Sequence, residues 1–388
     1  MRTGSSQRRW SRLIRGILPL LLIALAPAPG AAGADGRRRS DRGRPAAELV
    51  WPLPPDPPRI RYVDSLRGSS NFRKKPSRWR RFLLGPETDR GISLRKPYGV
   101  TTDAAGRVYV SDTGLGAVVV FDRDAREVRL LGHEGRVGLV TPIGLALDER
   151  GRLFVSDADL DRVFCFGGEG EVLLSLGREE GLHNPAGLAI DTVRHRLYVA
   201  DSHLHRIFLY STDGLYLTAW GSRGRAEGHF NFPTNLALDA GGNLHVVDTG
   251  NFRVQIFSPD GEFLSAFGEI GDGPGRFHRP KGIGLDSEGH IYVADAAFNN
   301  FQIFNQGGEL LLFVGTLGSG PGNFWLPAGI HVDRSDRIYV VDQINARVQI
   351  FQYLPEAGAL PAGSDATGAG EPRQVPPGPQ RSAAARRP

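Results

Sequence analysis

Six copies of one pattern run through the middle of this chain. From Pro97 it reads PYGVTTDAAGRVYVSDTGLGAVVVFD, and from Pro142 it reads PIGLALDERGRLFVSDADLDRVFCF. Pro185, Pro233, Pro280 and Pro327 open four more copies, with successive prolines 43 to 48 residues apart. A fixed period of that size means one supersecondary unit packed against copies of itself. Each unit holds four short runs rich in Val, Ile, Leu and Phe. In the fourth they are 235–239, 243–248, 254–258 and 262–268. Turn-formers such as DAGG (239–242) and SPDG (258–261) separate them. Four antiparallel strands per period, with no helical periodicity, predict the blades of a propeller.

Asp112, Asp157, Asp201, Asp248, Asp295 and Asp342 each close a second strand, so the count is six blades. The sixth stops after its third strand, at 348–353. Upstream, residues 59–68 (RIRYVDSLRG) read like the missing fourth strand. The expected fold is therefore all-β, a six-bladed propeller closed by an N-terminal strand over about 59–68. Closure matters because a bare edge strand invites pairing with other chains.

The inter-blade linkers carry a resemblance. Gly268 to Pro280 (GEIGDGPGRFHRP) and Gly315 to Pro327 (GTLGSGPGNFWLP) run glycines, then Phe, then Pro; Gly221 to Pro233 follows more loosely. With VVDTGNFRVQIF (246–257) and VVDQINARVQIF (340–351), they make residues 97–356 resemble the NHL repeat family of exported bacterial type. The resemblance implies the fold. It implies little about activity, because such folds host many functions.

Charge divides the chain. Residues 1–96 carry 22 basic and 7 acidic side chains (net +15), residues 97–356 carry 21 and 33 (net −12), and the tail carries 4 and 2 (net +2). An acidic propeller argues against nucleic acid as a partner. Residues 1–34 read as an export signal: Arg8, Arg9, Arg12 and Arg15 precede the apolar run 17–28, and small residues offer cleavage near Ala34. That places the product in the periplasm or outside the cell; a signal anchor in the inner membrane is the alternative. Residues 35–58 read as an Arg/Pro-rich linker, with WPLPPDPP (51–58) extended and stiff. Residues 69–96 form a basic insertion, in which Trp79, Phe82 and Leu83 fall at helical spacing. Such a helix packs on the rim with its arginines in water, or makes peripheral contact with an anionic membrane. Residues 357–388, rich in Ala, Gly and Pro, read as disordered. Cys165 is the only cysteine, in a strand where packing is its expected role.

Strand direction puts the loops after the six aspartates, the linkers and the residues after each proline on one face. Those residues are Tyr98, Ile143, Ala186, Thr234, Lys281 and Ala328. A carboxylate in every blade reads as architecture, accepting loop amides and pairing with Arg162, Arg206, Arg253 or Arg347 five positions on. Departures from the repeat are better clues. The middle of the first strand is Thr101, Ala146, Ala189, Ala237 and Gly284, but His331 in blade 6. Tyr98 and Lys281 are similar oddities at the channel mouth. His183, His203, His205 and His229 surround blade 3 on the same face, a set that could hold Zn²⁺ or Cu²⁺; Ca²⁺ is the other ion considered. The amidating-lyase propellers bind zinc through histidines just after such prolines, and this chain has none at those six places. The expected function is a non-catalytic scaffold presenting loops to a protein, peptide or glycan of the cell envelope. The alternative is a metal-dependent lyase or hydrolase with its site in the central channel, using His331 and the histidines around blade 3.

Overall fold

The computed structural model describes residues 48–72, 91–133, 138–177 and 179–355. The export signal, most of the basic insertion with its expected helix, and the tail lie outside the described residues.

Six antiparallel sheets form the ring. Blades 1 to 5 each have four strands in sequence order, from the inner Pro-led strand outward. Their first strands are Pro97–Thr102, Pro142–Leu147, Pro185–Asp191, Pro233–Leu238 and Pro280–Leu285. Blade 6 contains Pro327–Val332, Arg337–Asp342 and Arg347–Tyr353. Its fourth strand is Ile60–Leu66, paired antiparallel with Arg347–Tyr353 from Ile60 opposite Tyr353 to Leu66 opposite Val348. The ring closes as the sequence implied. Apart from two short 3-10 turns, Ser69–Asn71 and Thr249–Asn251, the described residues contain no helix.

The linker before this strand departs from expectation. Rather than running extended through 51–58, the chain turns back on itself. Val50–Trp51 pairs with Ile60 and Arg61 as a fifth strand outside blade 6. Trp51 explains the reversal, because its ring packs edge-on against Phe351 with centroids 5.8 Å apart. Burying that indole outweighs the stiffness of the prolines.

Side-chain alternation builds the core between neighbouring blades rather than within one. Val108, Val110, Val119 and Phe121 of blade 1, for example, pack with Tyr339, Val341, Val348 and Ile350 of blade 6. Each linker contributes a buried plug three residues before its proline: Leu94, Leu139, Leu182, Phe230, Phe277 and Phe324. In the later blades a buried glutamine shapes the linker. Gln255, Gln302 and Gln349 accept an amide proton from Gly228, Gly275 and Gly322 and donate to the carbonyls of His229, Arg276 and Asn323. These are the glycine of the linker pattern and the residue just before its phenylalanine.

The first strands approach one another so closely that a side chain is excluded at the glycine after Pro-x. A Cβ on Gly99 would lie 2.3 Å from the Ile143 carbonyl, and one on Gly144 would lie 2.1 Å from that of Ala186. Hydroxyls tie the strands at the same level. Ser111 accepts from Gly99 N and donates to Ile143 O at 2.7 Å. Ser156 does the same between Gly144 and Ala186.

The closing strand buries Ile60 and Leu66 almost completely. Ile60→Ala is expected to cost about 2–5 kcal/mol, lowering the melting temperature by several degrees. Removing residues 1–68 should lower it further, because it also strips blade 6 of its outer strands. Thermal unfolding checks both, and an unchanged melting curve for the truncated chain would reject the closure.

Candidate functional site

All six second-strand aspartates are fully buried. Each accepts the backbone N–H of the residue two before its blade's proline: Arg95, Val140, His183, Asn231, His278 and Trp325, at 2.6 to 2.8 Å. Loop amides fill the remaining capacity, as Gly114 and Leu115 do on Asp112. The linker arriving from the preceding blade is thus fastened to the next. These carboxylates are committed to structure. The expected arginine partnership holds in two blades. Arg253 Nε reaches Asp248 at 3.0 Å and Arg347 Nε reaches Asp342 at 2.7 Å. Arg162 instead donates to Ser175 Oγ, and Arg206 to the Gly221 carbonyl. In blades 2 and 3 loop amides already occupy the carboxylate, so the arginines turn outward.

A second ring of aspartates went unnoticed in the sequence. Asp103, Asp148, Asp191, Asp239, Asp286 and Asp333 stand at the ends of the first strands or at the start of the turns that follow, on the opposite face. Each accepts turn amides two to four residues on, as Asp103 does from Ala105 and Arg107. Tyrosine hydroxyls from the second strand donate to three of them, Tyr109 to Asp103, Tyr292 to Asp286 and Tyr339 to Asp333. The signal was an aspartate at the start of every first turn. In blade 4 the tyrosine position holds His245, buried with Nε2 3.5 Å from Asp239 Oδ2. Burial lowers its pKa against the pull of Asp239.

The first strands line a central channel of about 260 Å³. His331 stands where it opens into a wider chamber of about 720 Å³ between the turns of the opposite face. Its Nε2 lies 2.9 Å from Thr102 Oγ1 of blade 1. Desolvation pushes its pKa down to about 4, with Asp333 opposing. The ring is therefore neutral at neutral pH and can accept or donate one hydrogen bond.

Tyr98 and Lys281 are brought together at the other end. Lys281 Nζ lies 3.4 Å from Tyr98 OH, and 5.9 Å from the centre of its ring. The two come from blades 1 and 5, so the contact spans blade 6 at the channel mouth.

The four histidines around blade 3 are not gathered. His183 and His203 stack with ring centroids 4.1 Å apart. His205 turns inward on a left-handed backbone (φ 56°) and its Nδ1 accepts the Phe232 N–H at 2.9 Å. Burial lowers its pKa, with Arg223 and His203 adding to the effect. His229 Nδ1 bonds the Glu227 carbonyl at 3.1 Å. Among the described residues no group of three or more His, Cys, Asp or Glu side chains could hold a metal ion. The tetrad expected from spacing fails because one member is spent on a backbone amide. Cys165 is buried, and desolvation raises its thiol to about 11, consistent with a packing role.

Known proteins share the architecture. Residues 235–301 and again 285–354 match the family described as 6-bladed beta-propeller. That stretch covers the later blades, with the linkers shaped by Gln302 and Gln349. Comparison with curated proteins gives no match. Among solved structures, virginiamycin B lyase from Staphylococcus aureus superposes with a TM-score of 0.52 at 12% identity, covering 75% of this chain and 99% of the lyase. An auxiliary nutrient binding protein from Bacteroides thetaiotaomicron gives 0.53 at 15%, covering 69% and 71%. At these identities the likeness establishes the propeller fold alone. The functions named differ, so the fold leaves the activity open.

Two outcomes follow from this geometry. Asp342→Ala leaves Arg347 buried without its carboxylate, which is expected to cost about 3–5 kcal/mol. Denaturant unfolding measures it, and a change within experimental error would contradict the architectural role. His331 gains a proton in the unfolded chain before it does so in the folded one. Its contribution to stability is therefore intact above about pH 6.5 and is lost progressively as pH falls toward 4. His331→Gln should remove that part of the acid slope, seen by comparing melting curves of the two proteins from pH 7.5 to 4.

Proposed function

We propose that this chain is a non-catalytic binding propeller of the NHL type, exported to the cell envelope. In this reading it presents the face of the aspartate-anchored loops to a protein, peptide or glycan. The observation that carries the reading is a set of large, half-exposed apolar side chains spaced around that face, on the linkers before blades 2, 4 and 6 and on the loop of blade 6. Val140 is 48% exposed, Phe232 47%, Trp325 50% and Ile344 47%, all on linkers or loops whose backbone is tied down. Trp325 donates its amide to Asp342, and the Ile344 amide donates to the Trp325 carbonyl at 3.2 Å. The Phe232 amide is held by His205. Rigid, exposed aromatics are what binding surfaces use as anchors, because little rotamer freedom is lost on contact. Trp325 and Ile344 stand side by side, which departs from the scatter of single apolar residues normal for a surface.

The ring supports this role by what it lacks for movement. Its carboxylates and hub hydroxyls are consumed in ties between blades, so the loops ride on a stiff disc. Binding residues are commonly carried on loops of such scaffolds, since the strands are committed to packing.

The test is capture of a partner from a native envelope fraction. Capture by the wild-type protein should survive a chelator and should fall at least about tenfold for the double variant Phe232→Ala, Trp325→Ala, whose melting temperature should stay within a few degrees of wild type. Undiminished capture by that variant, or abolition by chelator, would reject the reading.

A further inference from the structure

We infer that the channel mouth on the loop face is a binding site for a single carboxylate carried on a short, slender body. Lys281 and Tyr98 build the site, and Asn235 of blade 4 lines the channel beneath them. Lys281 Nζ and Tyr98 OH converge at 3.4 Å from opposite sides of blade 6. Lys281 donates one proton to that hydroxyl. An ammonium has three, and among the described residues Lys281 has no carboxylate partner. Tyr98 accepts in this contact and so keeps its own proton for another acceptor.

Asn235 supplies a further donor in the channel. It stands where the other five blades have glycine after Pro-x, and it lines the channel. Its Oδ1 accepts the Leu236 N–H at 2.8 Å, which fixes the amide's orientation. The NH₂ group is left over. The neighbouring Thr234 hydroxyl is already spent, since it bonds Thr249 Oγ1 at 2.7 Å and the Lys281 carbonyl at 3.2 Å.

The channel below suits the rest of such a ligand. It is walled by the backbone edges of the first strands and by small side chains, with His331 and Thr101 at deeper levels, while Val100, Leu145, Leu188 and Ile330 are buried in the cores between blades behind that wall. No acidic residue lines it. At about 260 Å³ it lies just below the usual range of ligand pockets, so only a small ligand fits. The propeller around it is acidic by 12 charges. A polyanion would be repelled by that field, whereas one charge can be met locally by the lysine. Hydrogen bonds to an ionised acceptor are among the stronger ones, and a half-buried site strengthens them further.

A carboxylate of this kind has two sources, a free small acid or the C-terminal residue of a peptide. The second case rests on the proposal that this face receives a partner. Calorimetric titration of the full chain separates them. The probes are N-acetylvaline, N-acetylvalinamide and isovalerate. N-acetylvaline should bind and the amide should not. Binding of isovalerate with similar affinity points to a free acid, and preference for N-acetylvaline points to a peptide terminus. Lys281→Met should weaken N-acetylvaline at least about tenfold, and Tyr98→Phe should weaken it less, with melting temperatures unchanged in both. Equal binding of acid and amide, no heat from either acid, or full affinity in Lys281→Met would overturn the inference. If the acids fail while the Phe232/Trp325 variant still loses its captured partner, the loop-face reading stands and this one falls.

Discussion

The bond on which the ring depends is the one between a buried aspartate and the backbone amide of the linker that reaches it from the preceding blade. Blades share no inter-strand ladder with their neighbours, so something other than sheet pairing must fix the angle between them. Apolar packing between blades supplies most of the attraction but is non-directional. The carboxylate supplies direction. Asp157, for instance, accepts from Val140 and Thr141 on the arriving linker and from Asp159 and Leu160 on its own loop. An ionised acceptor with several lone-pair sites can hold four donors at once, which a neutral side chain cannot. Burial makes the arrangement unforgiving, since any amide left over would carry the cost of its desolvation.

Two tiers of aspartate therefore bracket each second strand, one tying linkers at the loop face and one tying turns at the opposite face. Between them the hub is nearly bare of function: glycines where first strands touch, small residues where they converge, and serine hydroxyls bridging neighbours. Against that background the exceptions stand out physically. His331 fills one end of the channel as a neutral ring. Lys281 and Tyr98 meet at the other, with donors left unspent. The two ends differ in what they offer, acceptor-rich turns below and donors above.

Most of the architecture was legible from period and composition, because a repeat writes its constraints six times. The closing strand was legible for the same reason: the missing fourth strand of blade 6 had a near copy at 59–68. What escaped was set by contacts that spacing does not encode. The hairpin made by Val50 and Trp51 depends on the indole finding Phe351, and a proline-rich run gives no hint of it. The histidine tetrad around blade 3 looked plausible from loop positions. It dissolved because His205 adopts a left-handed backbone and caps the Phe232 amide. Tyr98 and Lys281 were each conspicuous alone, yet their meeting requires knowing that blades 1 and 5 lean toward one mouth. The second aspartate tier is written in every repeat, but turn carboxylates are so common that the position alone does not mark it.

The ladder between Ile60–Leu66 and Arg347–Tyr353 joins positions about 290 residues apart along the chain. Chain-closure entropy grows only logarithmically with length, so a contour several times longer than one repeat adds only about 1.6 kcal/mol. Seven residues of β pairing with two buried anchors outweigh that easily. Kinetics tell a different story: contacts this remote form late. Until then the disc is an incomplete arc with two raw edges, and the time spent in that state governs how often a nascent molecule meets another before it meets its own beginning.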